Sequence, residues 1–176
     1  LPTEYESNYH KTQELIRAYE QLDVQVFWFW PNMDAGTDQV SKAIREYREQ
    51  QNPDAVRFFI SLDPHDYLTL VKNATCMVGN SSVGIRECSY FGVPAVNIGE
   101  RQQSRERGPN VLDVICDTDE IAAGIETQLK QGSYPQSTIY GNGNAAQKIT
   151  DTIAELDSEL KPPMTPDLLG YHEELY

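Results

Sequence analysis

Met77-Val78-Gly79-Asn80-Ser81-Ser82-Val83-Gly84-Ile85-Arg86-Glu87 is the stretch that sets the reading of this chain. A short apolar run ends in a Gly-Asn-Ser-Ser-X-Gly turn, and a helix is expected to begin at once. Small residues let backbone N–H groups approach a phosphate, two hydroxyls add donors, and a helix N-terminus adds partial positive charge. Glu87 follows within the next turns, placed to accept hydrogen bonds from a sugar hydroxyl. The pattern predicts a nucleotide or nucleotide-sugar site at the end of a strand.

Outward from that turn the chain alternates helix and strand. Residues 4–21 carry Leu15, Ile16, Tyr19 and Leu22 at helical spacing. Residues 24–30 (VQVFWFW) are a dense β-forming run, stopped by Pro31-Asn32-Met33-Asp34-Ala35-Gly36. A helix is expected from there to about residue 50. Strand 55–60 follows, then a helix with Asp63 as N-cap and Pro64 in its first turn. Strand 75–79, helix 82–91, strand 93–98 and strand 111–116 come next. Asp117 or Thr118 caps a helix to about residue 130, and Gly141-Asn142-Gly143-Asn144 leads into a last helix over 145–156. The Pro-rich tail from Lys161 reads as an extended or wrapping segment.

Helices between apolar strands predict an α/β fold, a Rossmann-like parallel sheet with helices on both faces. Ligands then sit beyond the carboxyl ends of the strands. The loops Pro31–Gly36, Gly79–Gly84 and Asn97–Arg107 are all expected at that edge. A nucleotide-binding α/β domain normally opens on a strand, and in the 3-2-1-4-5-6 order that strand is central. Here the first element is a helix, so either the chain is a piece of a longer protein or the sheet is wired differently.

The formal net charge of −13 argues against nucleic acid and against an anionic membrane surface, since both need a basic partner. A small phosphorylated ligand stays compatible, because local donors outweigh a global acidic field. Arg101, Arg105 and Arg107 form the arginine cluster near the turn. No apolar run approaches the roughly 20 residues of a membrane span. There is no basic-then-apolar leader. Cys76, Cys88 and Cys116 lack metal spacing, and their odd number favours reduced core thiols and a cytoplasmic setting. His10, His65 and His172 have no nucleophile or metal partner at useful spacing. Trp28 and Trp30 share one face of their strand and read as core.

Four blocks in order carry a family likeness: Pro31–Gly36, Gly79–Glu87, Pro94-Ala95-Val96-Asn97-Ile98-Gly99-Glu100-Arg101-Gln102, and Ile139–Asn144. Together they resemble the C-terminal domain of hydrolysing UDP-N-acetylglucosamine 2-epimerases, from about Thr3 to about Leu156. The resemblance implies a GT-B-like fold of two Rossmann-like domains with the active site between them. It implies a domain over 1–160 that holds UDP, a tail over 161–176, and a first strand and an N-terminal domain upstream. The implied reaction opens sialic-acid-type sugar synthesis: UDP-N-acetylglucosamine gives N-acetylmannosamine and UDP by elimination and addition of water, with no metal or other cofactor. UDP or UDP-N-acetylglucosamine is the implied partner, and such enzymes are often homo-oligomers.

By the same resemblance Ser81 and Ser82 hold the diphosphate, with backbone donors at Val83 and Gly84. Glu87 grips the ribose, Arg101 lies by the phosphates, Asn32 faces the cleft, and Leu62 offers its backbone to uracil. The catalytic groups are expected upstream of Leu1, where the family carries a His-Pro element and the N-terminal carboxylates. The fragment alone is then expected to bind UDP weakly and turn nothing over. Plainer readings stand beside these. Ser81 and Ser82 can cap a helix, Glu87 can be a solvated helix residue, and Arg101 can pair with Glu100 or Glu106. Asn32 and Asp34 can form an Asx-type turn. Three alternatives remain at this stage: a non-hydrolysing epimerase, a hydrolysing enzyme acting on a related di-acetamido sugar, or a catalytically silent nucleotide-sugar binding module.

Overall fold

The computed structural model describes residues 7–32, 36–51 and 54–156. The expected roles of Asp34 and His172, and the tail from Lys161, lie outside the described residues. The chain divides into two compact units, residues 1–140 and 141–176.

The first unit holds α1 (Asn8–Glu20), β1 (Val26–Phe29), α2 (Thr37–Gln51), β2 (Val56–Phe59), α3 (Pro64–Asn73), β3 (Met77–Gly79), α4 (Glu87–Phe91), β4 (Ala95–Ile98), β5 (Val111–Val114) and α5 (Thr118–Gln131). A single 3-10 turn, Ser82–Gly84, separates β3 from α4. The strand and helix order matches the alternation read from the residues. Asp63 caps α3, its carboxylate accepting from the His65 N–H, with Pro64 at the first helical position. Asp117 caps α5, accepting from the Asp119 and Glu120 N–H groups.

All strand pairs are parallel, but they form two ladders rather than one: β1 with β2, and β3-β4-β5. Helix α1 packs against both. Its Ile16 and Tyr19 join Tyr47 and Val56 over the β1-β2 ladder, with Trp28 in an edge-on contact to Tyr19. Its Ala18 and Leu15, with Leu22 just beyond the helix, join Val96 and the α5 residues Ile121 and Ile125 over the β3-β4-β5 ladder. Two neighbouring sets of core residues on a helix of period 3.6 therefore sit on two different ladders. The α1–α5 contact is pinned by Glu14, which accepts from the Thr118 N–H at 3.1 Å and also from its hydroxyl.

The opposite face of the larger ladder is closed by Val71 of α3 and Cys88 of α4, packed with Val93 and Ala95. Along β4 the alternation is plain: Ala95 faces one layer and Val96 the other. Helices thus cover both faces, as expected for a parallel sheet. Trp28 lies in the packed aromatic group, whereas Trp30 sits just past the strand under the Arg48 guanidinium, 5.9 Å from its ring centre.

One expectation fails locally. The helix read as 82–91 is broken: the 3-10 turn ends at Gly84, and α-helix exists only over Glu87–Phe91. Arg86, at ψ −71°, departs from regular helical geometry between the two. Gly92 ends α4 at φ 70°, in the left-handed region. An ideal Cβ built there would lie 2.1 Å from the Tyr134 carbonyl oxygen.

Helix α6 (Ala145–Glu155) belongs to the second unit. Its exposed apolar residues Ile149 and Ile153, with Leu156 just beyond, follow one stripe.

Two outcomes follow from this packing. Gly92→Ala combines a disfavoured left-handed φ with a backbone clash, so urea unfolding should show a loss of about 2 kcal/mol or more. Burial pushes the Cys76 and Cys88 thiols up to about 12. At pH 8 both should resist a disulfide reagent in the native protein and react on unfolding, as followed by mass spectrometry of tryptic peptides.

Candidate functional site

The carboxyl ends of the three strands in the larger ladder set the site. Gly79 on β3 pairs in register with Asn97 on β4, and Asn97 pairs with Asp113 on β5. β3 therefore ends at this row, and β4 and β5 end one residue later. Gly79 has φ 138°, a conformation that side-chain-bearing residues avoid, and nothing lies within 4 Å of where its Cβ would stand. The chain can thus turn sharply into Asn80 and Ser81 with open space beside it.

Ser81 is extended and caps the 3-10 turn, its hydroxyl oxygen accepting from the Val83 N–H at 3.4 Å. The Gly84 N–H reaches the Ser81 carbonyl at 3.3 Å. Both contacts are long for hydrogen bonds and weak. A charged acceptor can compete for these donors, since charge-assisted bonds are shorter and stronger. The helix dipole contributes less than the residue pattern suggests, because α4 is only 5 residues long and starts at Glu87. Individual N–H groups and hydroxyls are the donors that this turn could offer an anion.

Glu87 is half-buried. Its Oε2 is buried with no hydrogen-bond partner among the described residues, and so are Asn97 Oδ1 and Gln102 Oε1. Unpaired buried acceptors are uncommon because each forfeits its hydration. Glu87 and Asn97 share this condition near the ends of β3 and β4. A carboxylate oxygen in this state is suited to a hydroxyl donor.

The loop after β4 folds back on the turn. Gln102, 4% exposed, donates from Nε2 to the Asn80 carbonyl at 2.8 Å. Arg107 donates from Nη1 to the Gln102 carbonyl at 2.7 Å, and from Nε to Asp113 Oδ2 at 3.0 Å. Asn97 donates to Asp113 Oδ1 at 2.6 Å. Desolvation would raise the Asp113 carboxyl, but the hydrogen bonds from Arg107 and Asn97 outweigh it and hold Asp113 below its ordinary value. Further along, fully buried Asn110 donates to the Gly84 carbonyl at 3.2 Å and to the Val93 carbonyl at 2.8 Å, and accepts from the Ser89 hydroxyl.

Of the residues singled out in the sequence, Ser81, Ser82, Val83, Gly84 and Glu87 lie together in this turn and the helix it leads to. Arg101 is exposed in the adjoining loop. Arg107 is bound to Asp113 and to backbone carbonyls, so it braces the loop. Asn32 is exposed after β1, and its carbonyl accepts from the Thr37 hydroxyl at 2.6 Å. Leu62 lies in the corresponding connection after β2. Gln102, Asn110 and Asp113 were not singled out. The signal for Asn97 was a polar residue inside an otherwise apolar run. Gln102 offered no such contrast in a polar loop.

Comparison with known proteins gives the family and the fold. The family model described as UDP-N-acetylglucosamine 2-epimerase matches residues 2–154. A UDP-N,N'-diacetylbacillosamine 2-epimerase (hydrolyzing) of Legionella pneumophila is 34% identical over 136 residues, which cover 77% of this chain and 35% of that protein. A UDP-N-acetylglucosamine 2-epimerase of Neisseria meningitidis is 30% identical over 143 residues, 81% of this chain and 37% of that protein. The chain thus spans little more than a third of the length of these relatives. In fold it is similar to the crystal structure of a Methanocaldococcus jannaschii UDP-GlcNAc 2-epimerase in complex with UDP-GlcNAc and UDP. The TM-score is 0.61 at 16% identity, covering 84% of this chain and 41% of that one. With the family model matched across nearly the whole chain, the protein belongs to the UDP-N-acetylglucosamine 2-epimerase family.

Proposed function

We propose that this chain is the UDP-binding half of a hydrolysing UDP-N-acetylglucosamine 2-epimerase. The observation that carries the reading is the Gly79–Gly84 turn at a strand's carboxyl end, followed by a Glu87 carboxylate oxygen that is buried and unpaired. The turn offers hydroxyls and loosely held N–H groups to a diphosphate, and Glu87 offers an acceptor to the ribose hydroxyls. Arg101, in the adjoining loop, supplies charge for the leaving diphosphate. Asn32 faces the sugar side, and the backbone at Leu62 meets the base. The hydrolysing branch is supported by the Legionella relative, whose name carries that chemistry.

The rest of the active protein lies outside this chain in the same reading. The ladders β1-β2 and β3-β4-β5 are the two flanks of a 3-2-1-4-5-6 sheet without its first strand. Helix α1 spans both flanks, as it would after a right-handed crossover from that strand. A segment ahead of α1 supplies the strand, and a facing N-terminal domain supplies the groups that move protons on the sugar. UDP leaves by elimination and water adds to the sugar; this half binds and releases the leaving group.

Calorimetric titration with UDP tests the site. Ser82→Ala and Glu87→Ala should each weaken UDP binding about tenfold, the order of one charge-assisted hydrogen bond. Unchanged affinity in both variants would remove the assignment. In the whole protein, free UDP should accumulate with substrate. Two UDP-sugars in equilibrium without UDP release would place it in the non-hydrolysing class instead. The Legionella relative makes the di-acetamido UDP-sugar the second substrate to assay.

A further inference from the structure

Gln102 stands in an unusual position for a loop residue in a strongly acidic chain. It is 4% exposed, held at both ends, and joined to the turn that faces it. Its side-chain amide donates to the Asn80 carbonyl at 2.8 Å, and its own carbonyl accepts from Arg107 at 2.7 Å. Arg107 is in turn fixed to Asp113 on β5, and Asp113 accepts from Asn97 on β4. The chain of contacts therefore starts on two strands of the sheet and ends on a single peptide group, Asn80–Ser81.

The geometry of that peptide makes the contact directional. The peptide bonds are trans, so the carbonyl of Asn80 and the N–H of Ser81 point in opposite directions. Fixing the Asn80 oxygen on Gln102 turns the Ser81 N–H away from the loop. Without that contact, the peptide plane is free to turn about ψ of Asn80 and φ of Ser81. A buried amide is well suited to the task. It donates without bringing charge next to an anion, whereas an arginine or lysine at the same place would draw the diphosphate to itself.

We propose that Gln102 is a positioning residue: it orients the Asn80–Ser81 peptide so that the Ser81 N–H is presented as a diphosphate donor, with Arg107 and Asp113 holding Gln102 in place. The inference rests on the reading of the Gly79–Gly84 turn as the diphosphate site. Gln102 itself does not touch the ligand. Arg107, which the residue pattern groups with Arg101, serves the site through Gln102.

The test compares UDP with uridine on Gln102→Glu and Gln102→Met. The first replaces the donor by an oxygen. The second is neutral, of similar length and without a donor, and remains informative should a buried carboxylate unfold the chain. In both, affinity for UDP should fall about tenfold while affinity for uridine stays within about twofold, because the nucleoside lacks the phosphates. The Ser81 amide resonance in a nitrogen–proton correlation spectrum should move in the free protein. Asp113→Asn should give a smaller effect in the same direction. UDP affinity kept in both Gln102 variants, or equal loss of UDP and uridine, would overturn the proposal. An unmoved Ser81 resonance would overturn it even were UDP not to bind the wild type, an outcome that by itself counts against the diphosphate reading.

Discussion

The register of three parallel strands is the constraint on which the site depends. Gly79, Asn97 and Asp113 stand level across β3, β4 and β5. Parallel strands end at one edge, so three loops leave from the same side. The row then alternates in chemistry: a glycine that permits a sharp turn, an amide, and a carboxylate that anchors the returning loop. A shift of one residue in any strand would turn these side chains to the opposite face. The apolar neighbours on β4, Ala95 and Val96, prevent that shift, because each is buried in a different helical layer.

Buried amides fasten the loops to this frame. Asn110 ties the Gly84 carbonyl to the Val93 carbonyl, and Gln128 of α5 donates to the carbonyls of Ala95 and Asn110, both at 2.9 Å. Gln102 performs the same service for Asn80. Neutral amides suit these positions. Each satisfies carbonyls that would otherwise lie buried without partners, and none introduces the desolvation penalty of an ion. The charged pair in the network, Arg107 with Asp113, sits further out, where solvent reaches it.

Much of the fold was legible in the residues. The helix and strand order, the caps at Asp63 and Asp117, and the apolar alternation all depend on local preference and short-range spacing. The turn at Gly79–Gly84 was legible too, because glycine and serine in that pattern have few other uses. The length of the following helix was misjudged. The motif suggests a helix from Ser82 onward, but Val83 and Gly84 are poor helix formers, and the backbone follows the tertiary demands on this segment: Gly84 must pass close to Ala95, and Asn110 takes its carbonyl.

The chain by itself determined that strands and helices alternate, that the strands are parallel, and that a small-residue turn follows β3, since each of these follows from side-chain periodicity and backbone freedom within a few residues. It also carried the family likeness, which the family match bears out. Only the tertiary structure decided that the strands form two ladders rather than one, that α1 packs on both, and that Arg107 braces a loop rather than standing free beside Arg101. It alone brought Gln102 to Asn80 across an interval of 22 residues. Contacts of that kind depend on how far strands run before they turn and on which carbonyls are left without partners, and no local pattern in the residues encodes either.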